Sequence, residues 1–294
     1  MSGNKSKLIA FNYFGGKFSW LDNLYENFPN EFTHLVDLFA GSMVVSLNYK
    51  GRVIKTANEI NSDITNFFEV LRDNEEDLVN KLLLTPCSEL EFDRCWVSSD
   101  DKVEQARRFY VRIRQSFFGL GAQRQNKGFH MAKTHVNCQG GETVSRWNNA
   151  IKKLHEVANE IRMNFQILPL NYLDCIDRID FPGAFFYCDP PYSKVSRASY
   201  NDYKFEFTND DHEQLSERLH NIEGLAMVSG YDCSLMKSLY GDWEKVKFPI
   251  KKNNIRSTLR KNESGKVISQ ECIWMNYPIE MTVKQQLSLN FKFK

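Results

Sequence analysis

The sequence predicts an α/β fold whose strand–helix alternation is interrupted by a helical insertion, and three observations carry that reading. First, Phe185-Phe186-Tyr187-Cys188, behind Gly183 and Ala184, is a short apolar run that stops on Asp189-Pro190-Pro191-Tyr192. Such a run reads as a buried strand. Two prolines end it, because neither donates a backbone N–H and both fix φ. Second, Leu35 to Ser42 reads as a strand turning through Gly41 into a helix over Met43 to Tyr49, followed by a strand from Arg52 to Ala57 that ends at Asn58-Glu59. Third, residues 69–160 show little strand character, so a helical block separates two runs of α/β pattern.

The elements follow in chain order. Ile9 to Lys17 is an aromatic stretch closing on Gly15-Gly16-Lys17, where a glycine pair permits a turn with positive φ and a close backbone approach to a ligand. It lacks the spacing of a phosphate-binding Walker loop. Asp63 to Leu71 and Glu75 to Leu84 have helical periodicity, with Ser62 and Asn74 as N-caps, and Pro86 ends that run. Val103 to Phe118 is an amphipathic basic helix, Gly119 to Gly128 a glycine-punctuated polar loop, and Thr143 to Ile161 one long helix. The sheet resumes at Phe165 to Leu168, turns through Asn171 to Asp174, and reaches the Phe185 strand. Ser193 to Phe207 is a candidate lid. Thr208 caps a helix from Asn209 to His220, with Asp211 in the capping-box position. Leu225 to Ser229, Glu244 to Pro249 and Glu271 to Asn276 are the remaining strands.

Composition narrows the class. At 294 residues, 42% hydrophobic and 26% charged, the chain has the make-up of a soluble globular protein. It has no 18-residue apolar run and no hydrophobic signal core after its first residues. Seven cysteines without a C-x-x-C pair argue against a disulfide framework or a zinc knuckle and for reduced thiols in a cytoplasm. The net charge of +1 hides a segregation: residues 102–135 and residues 245–266 each carry eight cations against one glutamate. Two such windows in a near-neutral chain favour a polyanion such as nucleic acid on one face. Two solvated surfaces are the alternative.

The strand edges carry the chemistry. In open α/β sheets ligands bind at the carboxyl ends of the strands. There the Asp189 carboxylate and the Pro190 carbonyl can each accept one N–H, while the Tyr192 ring can stack on a base. That combination suits a planar substrate with an exocyclic amine. Glu59 ends the second strand about twenty residues after the Gly41 turn, the spacing at which an acid accepts from ribose hydroxyls. G-x-G-x-x-G is absent, so the bound molecule should be an adenosine compound without a diphosphate, a description that S-adenosylmethionine meets. An ordinary βαβ unit without ligand is the other reading. In the loop after the basic helix, Gln123, Arg124, Gln125, Asn126 and Lys127 stand together. Gln, Arg and Asn can read base edges bidentately and are also common loop residues.

Phe14-Gly15-Gly16-Lys17, Asp37-Leu38-Phe39-Ala40-Gly41, Asn58-Glu59-Ile60-Asn61-Ser62-Asp63 and Asp189-Pro190-Pro191-Tyr192, in this order with a basic insert before the last, resemble a Dam-type DNA adenine-N6 methyltransferase. The resemblance runs through residues 9–276. It implies a Rossmann-like S-adenosylmethionine-dependent methyltransferase sheet, formed by residues 1–68 and 161–294, with a helical target-recognition insertion over residues 69–160. Tyr13 and Lys17 match the N-terminal cofactor contacts, and Asp37, Phe39 and Gly41 the glycine-turn motif. Glu59 takes the place of the ribose-holding acid, and Asp174 that of an acid bordering the cofactor's adenine. Asp189, with Pro190 and Tyr192, matches the catalytic edge beside the methyl donor. One departure stands out: after Gly41 the family usually has another glycine, and here Ser42-Met43 follow.

The implied activity is transfer of a methyl group from S-adenosylmethionine to the N6 of a flipped-out adenine in double-stranded DNA, with no metal needed. Arg112, Gln123, Arg124, Asn126, Lys127, Lys251 and Arg260 are the expected nucleic-acid contacts, and a cognate restriction endonuclease is a compatible partner. The rival readings are a methyltransferase acting on RNA or on a glutamine side chain, and a catalytically silent DNA-binding regulator with the same fold. Asn commonly stands at the Asp189 position in the glutamine enzymes, and the intact Asp-Pro-Pro-Tyr argues against the regulator.

Overall fold

The computed structural model describes residues 7–13, 15–116, 128–133, 136–137, 140–192, 207–249 and 270–285. The early helices and strands are α1 (Leu21–Glu26), β1 (His34–Asp37), α2 (Val44–Asn48), β2 (Ile54–Asn58), α3 (Ser62–Asp73), α4 (Glu75–Leu83), α5 (Glu89–Arg94) and α6 (Lys102–Gln115). Then come β3 (Val136–Asn137), β4 (Gly140–Gly141), α7 (Glu142–Lys152), α8 (Leu154–Asn164), β5 (Phe165–Leu168), α9 (Tyr172–Ile179) and β6 (Ala184–Cys188). The last are α10 (Asn209–His220), β7 (Leu225–Tyr231), α11 (Ser234–Leu239), β8 (Glu244–Lys247) and β9 (Glu271–Met275). The chain divides into two compact units, one of Met1–Phe18, Ala40–Lys50 and Glu59–Pro169, the other of Ser19–Phe39, Gly51–Asn58 and Leu170–Lys294.

The second unit holds strands in the order β2-β1-β6-β7-β9-β8. β2, β1, β6 and β7 pair in parallel, and β9 and β8 close the edge antiparallel. β1 and β6 are buried along their whole length; β6 accordingly reads as an unbroken apolar run rather than an alternating one, whereas β1 carries His34 and Asp37 at its two ends. From β1 the chain steps outward to β2 on one side, whereas β6 lies on the other side of β1. The sheet therefore has its topological switch point between β1 and β6, where open α/β sheets bind ligands. Phe185 packs edge-on to Phe28 at 4.7 Å, and the Tyr187 hydroxyl shares a 2.8 Å hydrogen bond with Ser229.

The first unit is mostly helical. Phe11 sits among Phe67, Phe68 and Phe109 at 5.4–5.6 Å, and Phe67 stacks on Tyr110 with a 3° interplanar angle. The Tyr110 hydroxyl donates to the Ala10 carbonyl at 3.1 Å, tying the N-terminal stretch to α6. α6 starts on Asp101, whose side chain accepts from the Val103 and Glu104 amides. It buries Ala106, Phe109, Tyr110 and Ile113 at helical spacing.

The capping box of Thr208 and Asp211 is present as expected. Two local expectations change. Asn61, not Ser62, caps α3, because its Oδ1 accepts from the Asp63 amide at 3.1 Å. The helix expected over Thr143 to Ile161 is two, broken at Lys153, whose N–H closes on Ala150 three residues back and tightens one turn. Residues 171–174 open α9 behind an Asn171 cap. The lid expected at Ser193 to Phe207 lies outside the described residues except for Phe207. Among the described residues no helix is long and apolar enough to cross a membrane.

One side-chain cluster on α6 sets an acid limit. The carboxyl of Glu104 is held down to about 2 by the guanidinium groups of Arg107 and Arg108, which lie within 2.8 Å of it. Arg107 also reaches Glu91 at 2.8 Å. A depressed carboxyl pKa stabilises the fold fully above the ordinary carboxyl range, and that contribution is lost as pH falls toward the folded value. Discounted for partial solvent screening, the cluster is worth about 2 kcal/mol at pH 7. Glu104→Gln should lose that amount in denaturant titrations at pH 7, and the gap from wild type should close as pH falls toward 2. An unchanged midpoint at pH 7 would remove the cluster from the stability account.

Candidate active site

The catalytic edge lies in the second unit. β6 ends at Cys188 and its neighbour β1 at Asp37, with Asp37 in register against Tyr187, two residues before Asp189. A further rung follows, from the Leu38 amide to the Tyr187 carbonyl at 2.9 Å. Asp37 is buried, and Asp189 and Tyr192 are half-buried around buried Pro190. Both carboxylates make themselves felt. Burial first, then Asp189, Asp37 and Glu271, push the Tyr187 hydroxyl far above its ordinary range. Burial, Asp37 and Asp189 likewise push up the Cys188 thiol. A sheet edge with two carboxylates at its switch point favours a cationic ligand.

Beside that edge Phe39, Tyr172 and Phe207 cluster with ring centroids 5.2–5.7 Å apart. The Tyr172 hydroxyl donates to the Asp211 carbonyl at 3.3 Å. Asp174 stands exposed in the first turn of α9. Tyr192 donates its hydroxyl to Glu271 and lays its ring edge-on against Tyr231 at 4.7 Å. Glu271, Tyr231, Tyr172 and Phe207 were not legible as site residues; each is a single aromatic or acidic residue in an otherwise ordinary stretch.

The first unit holds the glycine turn and its acid. Glu59 accepts twice from backbone: Oε2 from the Gly41 amide at 2.8 Å and Oε1 from the Asn61 amide at 2.9 Å. Burial raises its carboxyl above the ordinary range, against the lowering effect of those two N–H groups. Its own amide donates to the Leu168 carbonyl at 2.9 Å, fixing where the carboxylate points. Gly41 has φ +49°, and a Cβ there would stand 3.0 Å from the Tyr13 ring. The missing side chain lets the Tyr13 ring pack directly on the turn. Gly15 has φ +80°, and buried Lys17 donates from Nζ to its carbonyl at 3.1 Å. Met43 also sits in the left-handed region, at φ +55°. For a residue with a Cβ that conformation costs about 1–2 kcal/mol. Here full burial of the Met43 side chain offsets the strain.

Arg112 does not face solvent as a free cation. Its Nη2 lies 3.2 Å from Asp63 Oδ2, its guanidinium is 5.6 Å from the Trp96 ring centre, and its side chain is 14% exposed. Gln105 donates to the other oxygen of Asp63 at 2.8 Å. Arg107 and Arg108 are tied to Glu104, and Arg114 donates to the Arg146 carbonyl. The basic helix spends its arginines inside its own unit, through partners the sequence pattern does not reveal. Gln123, Arg124, Asn126, Lys127, Lys251 and Arg260 lie outside the described residues, as does Phe14.

Parallel strands with acids at their switch point and a strand ending on Asp-Pro-Pro-Tyr make a Rossmann-like α/β sheet of the kind that methyltransferases use. The sequence signature of the D12 class N6 adenine-specific DNA methyltransferase matches residues 13–255, and the chain belongs to that family. It is 26% identical over 293 residues to the type II methyltransferase M1.LlaDCHI of Lactococcus lactis subsp. cremoris, covering 93% of this chain and 97% of that one. It is also 26% identical over 203 residues to the type II methyltransferase M.FokI of Planomicrobium okeanokoites, covering 65% of this chain and 30% of that protein. The chain is thus a site-specific DNA adenine methyltransferase, with DNA as its substrate.

Proposed function

We propose that the donor is S-adenosylmethionine, held by Tyr13, Lys17, Asp37, Phe39, Gly41, Glu59, Asp174 and Asp189, and that Asp189, Pro190 and Tyr192 act on the adenine. The observation that carries this reading is the braced Glu59: each of its oxygens holds one backbone N–H and keeps a lone pair for a ribose hydroxyl. The Asp37 and Asp189 carboxylates at the switch point suit a positively charged sulfonium. When bound, S-adenosylmethionine supplies an electrophilic methyl group.

The residues of the chain do the rest. The N6 lone pair of adenine is delocalised into the ring and is a poor nucleophile. The Asp189 carboxylate and the Pro190 carbonyl each accept a hydrogen bond from the N6 amino group and localise its lone pair toward the methyl group; as the N6–carbon bond forms the sulfur–methyl bond would break, and N6 gives up one proton to solvent. The N6 atom is out of reach inside a duplex, so the base must leave the stack, and Tyr192 is the plate that receives it. Positioning both reactants supplies much of the remaining acceleration.

In this reading residues 1–68 and 161–294 carry catalysis and residues 69–160 recognise the target. Arg112 contributes by bracing Asp63 and the helix that leads into the loop. Gln123, Arg124, Asn126 and Lys127 supply the recognition contacts, and Lys251 and Arg260 meet phosphates. A cognate restriction endonuclease is the protein partner that the type II relatives bring to mind, and the cytoplasm, where bacterial DNA lies, is the place of action.

The reading is tested by incubating the purified protein with methyl-labelled S-adenosylmethionine and three acceptors: duplex DNA, RNA of the same sequence, and a glutamine peptide. Label on duplex DNA alone is expected, and label on RNA or peptide would overturn it. A finer expectation concerns Arg124. If it reads a guanine edge, Arg124→Ala loses about 1–3 kcal/mol of discrimination at one position of a randomised duplex library. An unchanged motif with a uniformly lower rate would make Arg124 a phosphate contact.

A further inference from the structure

We propose that Glu271, which opens the antiparallel strand β9, is a positioning residue that locks the Tyr192 ring in place before any base arrives. The inference rests on the reading of Tyr192 as the stacking plate and adds to it the group that holds the plate.

Glu271 stands directly across from Tyr231 in the β7–β9 register. The Tyr192 hydroxyl donates to Glu271 Oε1 at 2.5 Å, and the Tyr192 ring meets the Tyr231 ring edge-on at 4.7 Å and 73°. Tyrosine has only two side-chain torsions that place its ring. A hydrogen bond at the hydroxyl and an edge contact at the ring constrain both. The corner beneath is braced as well. Asp232, next to Tyr231, pairs with Lys245 at 2.7 Å, with Lys247 at 3.1 Å and with Lys237 at 3.6 Å. Lys245 and Lys247 come from β8, whose neighbour in the sheet is β9. The clamp thus rests on three strands rather than on the chain that follows Tyr192.

Burial first, and charge second, keep the Tyr192 hydroxyl protonated. Burial, with Glu271 and Asp189 nearby, pushes the Tyr192 hydroxyl far above its ordinary range, so it remains a donor across the physiological range. A plate fixed beforehand loses little side-chain freedom when a base stacks on it, so binding energy is not spent on ordering it. Glu271 touches neither base nor donor in this account and acts through the Tyr192 hydroxyl.

The test is a double-mutant cycle on the full-length protein. The variants are Glu271→Ala, Glu271→Gln, Tyr192→Phe and the Glu271→Ala/Tyr192→Phe pair, with Tyr192→Ala as reference. Two quantities are read with saturating S-adenosylmethionine. One is the single-turnover methylation rate. The other is the fluorescence of 2-aminopurine placed at the target adenine of the motif identified by sequencing. Glu271→Ala and Tyr192→Phe should each slow transfer about tenfold and change the 2-aminopurine signal alike. Glu271→Gln, which keeps an acceptor, should regain most of the rate, and the paired variant should be no slower than either single one. Should Glu271→Ala cost as much in the Tyr192→Phe background as in wild type while Tyr192→Ala is disabled, this inference fails and the plate stands. Full activity in Tyr192→Ala would overturn the plate and the clamp together. Thermal melting of each variant separates lost folding from lost positioning, and Glu271→Gln keeps the test alive if Glu271→Ala does not fold.

Discussion

Asp189→Ala is expected to abolish methyl transfer, by at least about a hundredfold, while DNA affinity stays within a few-fold. The carboxylate stands just past the end of β6, beside the switch point with β1, where two acids shape the field around Tyr187 and Cys188. In the proposed mechanism it is one of the two acceptors offered to the exocyclic amine, and the charged one. Removing one preorganised group from a transition state typically costs two to three orders of magnitude. DNA affinity, in the proposed reading, is set by cations away from this edge, such as Arg124, Lys127, Lys251 and Arg260. Single-turnover rates with saturating DNA and donor, beside filter-binding affinities, separate the two effects. Near-wild-type turnover by the purified variant would remove Asp189 from the chemistry.

The second large effect concerns the donor. Glu59→Ala should weaken S-adenosylmethionine by roughly 1.5–3 kcal/mol, the value of a lost charge-assisted hydrogen bond, and leave DNA affinity nearly unchanged. The loss has two sources: the ribose acceptor disappears, and the Gly41 and Asn61 amides lose the carboxylate that holds the turn. Burial raises the Glu59 carboxyl, so the wild-type protein should lose donor affinity on acidification at a higher pH than an ordinary carboxylate would dictate. Protonation removes the charge that the hydroxyls meet, so affinity falls as pH drops and recovers as it rises. Glu59→Gln should lack that pH dependence. Calorimetric titration with the donor alone measures both, and an unchanged affinity in Glu59→Ala would place Glu59 outside the site.

The parts of this account that were legible in the sequence are those fixed by neighbouring residues. An apolar run bounded by two prolines defines β6 and its edge without reference to the rest of the chain. The Thr208–Asp211 capping box and the Gly41 turn are likewise local. Glu59 falls among them because an acid ending a strand is recognisable by spacing alone. What the sequence does not reveal depends on partners far along the chain. Tyr192 and Glu271 are 79 residues apart, and Arg112 and Asp63 are 49 apart. A charge pattern shows that α6 is basic but not that its arginines close on Glu104, Glu91 and Asp63. The Asn61 cap shows a finer limit: two adjacent residues could each cap α3, and hydrogen-bond geometry decides between them.

In the proposed mechanism the Asp189-Pro190 edge presents the N6 of a flipped adenine to a methyl donor. The most direct measurement is sequencing of modified bases, with nucleoside mass spectrometry, on DNA from cells expressing the wild-type protein or Asp189→Ala. N6-methyladenine at one adenine of a single short motif, present with wild type and absent with Asp189→Ala, is the predicted result. Methylation of cytosine, or N6-methyladenine that persists with Asp189→Ala, would contradict it.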